Sequence, residues 1–116
     1  MLTIRPGQMR VFAEARRHAF EIEVVAHLRA NFQPQTEESS DEELLPLIRG
    51  ALLNARTYGL ESRPEIIRFI EYTMLYGTDF DTKLSWANRI LTDTKVSAAE
   101  KLNRIDAYDE FCMHRD

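Results

Sequence analysis

The chain has 116 residues, 44% apolar and 29% charged, with a formal charge of −4. This is ordinary globular composition, sufficient for one domain over residues 1–116 with a core that needs no covalent staple. Intrinsic disorder would require fewer apolar residues or a larger net charge. The small acidic excess gives no overall attraction to nucleic acid or to anionic lipid.

Cys112 is the single cysteine, which excludes an internal disulfide and fits a reducing compartment. The opening Met-Leu-Thr-Ile-Arg-Pro-Gly-Gln lacks the apolar centre of a secretory signal. No apolar run approaches the roughly 20 residues of a membrane helix. The expectation is a cytoplasmic protein that, if exported, leaves by a route needing no cleaved signal.

Pro6 suits the first turn of a helix, where its missing N–H costs little. After Gly7 neither Gly nor Pro occurs until Pro34, which predicts a long first helix to about Asn31. Residues 33–41 are polar and read as a surface loop. Ser40 and Glu43 have capping-box spacing, but Pro46 removes a backbone bond. Either the first turn is a separate short piece or the main helix starts near Leu45. It then runs to about Tyr58, and Gly59 offers a left-handed C-cap. Ser62 and Glu65 form a second box with Pro64 in the first turn. The helix they open carries Ile66, Ile67, Phe69, Ile70, Met74 and Leu75, and Gly77 is expected to close it as Gly59 closes the one before. Residues 78–83 read as a loop, followed by a short helix over about 84–91 with Trp86, Ile90 and Leu91. Ser97 and Glu100 start the last helix, which runs to about Cys112 with Leu102, Ile105, Tyr108 and Phe111 or Cys112 at helical spacing.

These elements predict an all-α fold, a compact bundle of about five helices with a long first helix. The expected apolar anchors are Phe12, Phe20, Val25, Leu28, Leu52, Ile66, Phe69, Ile70, Phe80, Trp86, Ile90, Leu102, Ile105 and Tyr108. The first helix carries two apolar groups, Met9, Phe12, Ala13 and Phe20 on one side and Ile22, Val25, Leu28 and Phe32 around another. A surface helix shows one stripe. Two need two covers, either different neighbours at the two ends or a second chain, including a second copy of this one.

Catalytic and metal-binding patterns are sparse. His18 and His27, nine positions apart, lie half a turn out of phase, and Glu23 with His27 supplies only two ligands where zinc needs more. Asp79-Phe80-Asp81 could bind a divalent cation in a small hydrolase, yet it lacks the Gly and terminal Glu of a calcium loop. The plainer reading makes Phe80 a core anchor, Asp81 or Thr82 a helix cap, and Asp79 a turn former. Cys112 and His114 are two positions apart and point to different sides of a helix, a poor nucleophile–base pair. Gly7, Gly50, Gly59 and Gly77 are isolated, so no phosphate loop exists, and no Gly-x-Ser-x-Gly elbow occurs. The expectation is a protein without catalytic residues, cofactor or metal. Arg10, Arg16, Arg17, His18 and Arg29 could track phosphates in a DNA-binding regulator, but Glu14, Glu21 and Glu23 interleave with them as on a salt-bridged solvated face.

Three stretches carry a resemblance. The first is Ile4-Arg5 followed by Met9 and the segment Val25-Ala26-His27-Leu28-Arg29. The second is Ala55-Arg56-Thr57-Tyr58-Gly59-Leu60-Glu61-Ser62. The third is Tyr76-Gly77-Thr78-Asp79-Phe80-Asp81 with Trp86-Ala87 and Ile90-Leu91. Together they span most of the chain, which resembles small all-helical bacterial accessory proteins encoded beside effectors of the type VI secretion system. The resemblance implies an adaptor, a chaperone or an immunity-type partner that binds a secreted effector or spike component. It brings no active-site residue, because the matching positions are helix stops, caps and anchors. The partner-binding surface expected from the residues is on the first helix. Val11 and Ile22 share a side, about 20° apart at 100° per residue, with Arg10, Arg17, Glu14 and Glu21 as a charged rim. Neither nucleic acid nor membrane is expected as a partner.

Overall fold

The computed structural model describes the backbone of residues 6–113 and the side chains of residues 14–108. The described residues form seven helices and no strand, so the fold is all-α. The helices are α1 (Pro6–Asn31), α2 (Gln33–Thr36), α3 (Asp41–Thr57), α4 (Arg63–Tyr76), α5 (Phe80–Lys83), α6 (Ser85–Leu91) and α7 (Ala98–Met113). Among the described residues, no helix is long and apolar enough to cross a membrane. The chain divides into two compact units, Met1–Leu45 and Pro46–Asp116.

In the first unit, α1 buries Glu21, Val24, Val25 and Leu28, the i, i+3, i+4, i+7 stripe of an amphipathic helix. The grouping of Ile22 with Val25 and Leu28 does not hold, because Ile22 is 56% exposed. The α1 ladder ends with Phe32 N–H donating to the Leu28 carbonyl at 2.7 Å. Pro34 cannot continue it, having no N–H for the next carbonyls. It sits instead in the first turn of α2, where helix donors are unpaired in any case.

The segment expected as a surface loop is thus one helical turn followed by a stapled turn. The staple is Arg29. Its Nη1 donates to the Thr36 carbonyl at 3.1 Å and its Nη2 to the Ser39 carbonyl at 2.9 Å. Nε and Nη2 reach Asp41 Oδ1 at 3.2 and 2.6 Å. Thr36 is buried, and its Oγ1 donates to the Phe32 carbonyl at 2.9 Å.

The first capping box forms as its spacing predicts. Glu43 N–H donates to Ser40 Oγ at 3.2 Å and Ser40 N–H to Glu43 Oε1 at 3.3 Å. Neither expectation for Pro46 is met, because α3 starts at Asp41 and runs unbroken with the proline inside it. The box fixes the first turn, and the buried positions Leu44, Ile48, Ala51, Leu52 and Ala55 keep one helical phase through the proline. The loss is one ladder bond, the one Pro46 cannot donate to the Glu42 carbonyl.

In the second unit α3 ends in a Schellman motif. Gly59 N–H donates to the Arg56 carbonyl at 3.0 Å and Leu60 N–H to the Ala55 carbonyl at 2.9 Å. Gly59 has φ 82°, and Leu60 is fully buried beyond it. The box at Ser62 and Glu65 then opens α4 with both reciprocal bonds present. Gly77 does not repeat the geometry of Gly59. It is itself the cap of α4, at φ 108° and ψ 162°, donating to the Thr73 carbonyl. That region is open essentially to glycine alone, and it turns the chain into α5. The short helix expected over about 84–91 is α6, whereas the segment 78–83 expected as a loop holds a further helical turn, α5, separated from α6 at Leu84 with φ −88° and ψ 107°. At the third predicted box Glu100 N–H donates to Ser97 Oγ at 3.2 Å, while Glu100 Oε1 accepts from Arg104 Nε at 3.3 Å.

α4 packs on α5 and α7, and α6 on α5 and α7. Phe69, Phe80, Ile70, Leu60, Leu91, Leu102 and Ile105 are almost fully buried there. Of the expected anchors, Trp86 and Ile90 are half-buried, as is Phe20 in α1. Tyr108 is 39% exposed, and the Phe12 side chain lies outside the described residues.

Four outcomes are expected from chemical denaturation followed by circular dichroism. Arg29→Ala should lower stability by about 1–3 kcal/mol, since two carbonyls lose a charged donor. Arg29→Lys should restore only part of this, because an ammonium cannot span the same acceptors. Gly77→Ala should cost about 1–3 kcal/mol through its backbone angle. Gly50→Ala, inside α3 with nothing within 4 Å of the added methyl, should instead stabilise by about 0.5–1 kcal/mol.

Candidate functional site

The expected partner-binding residues divide on α1. Ile22, Arg17 and Glu14 are exposed. Glu21, expected in the rim, is buried at 1% exposure with Arg17 Nε 3.8 Å from its Oε1. The reason is helical phase, since Glu21 lies on the Val24–Leu28 stripe one turn beyond Arg17. The side chains of Arg10 and Val11 lie outside the described residues. Ala15, Ala19 and Ala26 are exposed along with Ile22. At 100° per residue these four fall within about 60° of one another and opposite the buried stripe. The solvent side of α1 is therefore apolar, with Arg16, His18 and Glu23 exposed beside it.

Arg29, counted in a possible phosphate-tracking stripe, is committed to Thr36, Ser39 and Asp41. Arg16, Arg17 and His18 are exposed. The geometry thus assigns one member of that stripe to the fold.

The Asp79–Asp81 pair does not converge. Asp79 is exposed, its Oδ2 lies 3.0 Å from Lys83 Nζ, and its carbonyl accepts from Thr82 Oγ1 at 3.1 Å. Asp81 is 4% exposed and its Oδ2 accepts from the Tyr58 hydroxyl at 2.6 Å. Its carbonyl accepts from Asn88 Nδ2 at 3.0 Å. Neither Asp81 nor Thr82 caps a helix as expected. The cap position of α5 is Asp79 and that of α6 is Leu84, both without a side-chain cap bond. Among the described residues, no three His, Cys, Asp or Glu side chains are grouped to hold a metal ion. Cys112 and His114 lie outside the described side chains.

What composition could not reveal is a set of buried and half-buried polar links in the second unit. Burial, the hydrogen bond to Asp81 and the Asp81 charge together push the Tyr58 hydroxyl from 10.0 to about 12. At neutral pH Tyr58 is a proton donor held by a carboxylate, unsuited to act as base or nucleophile. Lys101, also buried, donates from Nζ to the Tyr58 carbonyl at 2.9 Å, a positive charge at the C-terminal end of α3. Farther along α7, Asp106 accepts from both Arg68 Nη2 and the Tyr72 hydroxyl. No buried side-chain nitrogen or oxygen among the described residues lacks a partner.

Aromatic rings run beside these links. Phe69 and Phe80 have centroids 5.1 Å apart, and Tyr76 meets Phe80 at 5.9 Å. Trp86 meets Tyr76 edge-on at 5.7 Å and stacks on Tyr108 at 4.2 Å.

Tyr58 offers a direct test. Tyr58→Phe leaves the Asp81 carboxylate without that donor and should cost about 1–3 kcal/mol. In an ultraviolet titration, one of the four tyrosines should ionise near pH 12 and disappear from the curve in the variant. Because the folded value is raised from 10.0 to about 12, Tyr58 stabilises the fold fully below pH 10 and loses this as pH rises toward 12. The stability difference between wild type and Tyr58→Phe should shrink over that interval. A constant difference would contradict the assignment.

Comparison with known proteins finds no matching family model, no matching curated protein and no matching solved structure.

Proposed function

We propose that the chain is a non-enzymatic protein-binding accessory, an adaptor, chaperone or immunity-type partner for a type VI secretion effector or spike component. It works in the cytoplasm through the solvent side of α1. The observation that carries this reading is Ile22, 56% exposed among the exposed Ala15, Ala19 and Ala26, with Arg16, His18 and Glu23 exposed beside them. An apolar centre with a charged border is the composition of a modest protein interface. The placement of the polar groups supports the non-enzymatic part. Asp79, Asp81 and Arg29 each have structural partners, so the hydrolase and DNA-binding alternatives have less to work with. The resemblance supplies the secretion context.

The test is affinity capture from the native cell with the tagged wild type, Ile22→Asp and Val11→Asp. A captured protein encoded at the same locus is expected, with affinity falling about 10- to 100-fold in the variants, or about 1.4–2.8 kcal/mol. Circular dichroism and Tm of Ile22→Asp should be unchanged, since Ile22 is not a core residue. Folded variants that retain every partner would remove α1 as the contact. A wild type that retains nucleic acid or a small molecule and no protein would overturn the reading.

A further inference from the structure

We draw no further inference here: the strongest candidate, the partly exposed aromatic surface formed by Tyr76, Trp86 and Tyr108 where α6 meets α7, carries nothing because nothing in the structure shows what covers it.

Discussion

A carboxylate removed from water must be given donors, and Asp81 meets this demand with Tyr58. The same residue, Tyr58, is held through its carbonyl by Lys101. The end of α3, the start of α5 and the first half of α7 are thereby linked through one tyrosine. Each link is directional, in contrast to the apolar contacts around Phe69 and Phe80, which fix proximity and little else. The Arg68–Asp106–Tyr72 group adds a second directional link, between α4 and α7, around a half-exposed carboxylate. Polar bonds inside the second unit thus specify which helix faces which, while the buried apolar side chains supply the main driving force.

The features legible in the sequence were those set by neighbours within one turn. Ser40 with Glu43 and Ser62 with Glu65 cap where their spacing says they should. Gly59 takes the left-handed angle its position demands. All-α character followed from such signals, because each concerns three to six consecutive residues. Gly77 marks the limit of this logic. Its place after α4 was visible, but its extended, positive-φ conformation depends on where α5 must go.

The misplaced residues are those whose partners are distant in sequence. Asp81 looks like a cap until Tyr58, 23 positions away, is brought to it. Arg29 looks like one more surface cation until the chain turns back over 7 to 12 positions to meet it. Glu21 is legible from helical phase alone, which places it with Val24 and Leu28. Its charge argued for the surface, and the phase was the better guide. On α1 the same phase separates Ile22 from Val25, which sequence grouping had joined.

The Arg29 staple also determines how the 32–41 segment responds to its medium. Two of its acceptors are neutral carbonyls, and only Asp41 carries charge. Mobile ions screen charge–charge attraction over a Debye length of about 8 Å at 0.15 M. They act far less on a hydrogen bond to a carbonyl. The fold of this segment is therefore tolerant of salt, whereas an exposed pair such as Lys83–Asp79 weakens as ionic strength rises. The turn that leads into α3 keeps its shape in media where surface electrostatics have largely vanished.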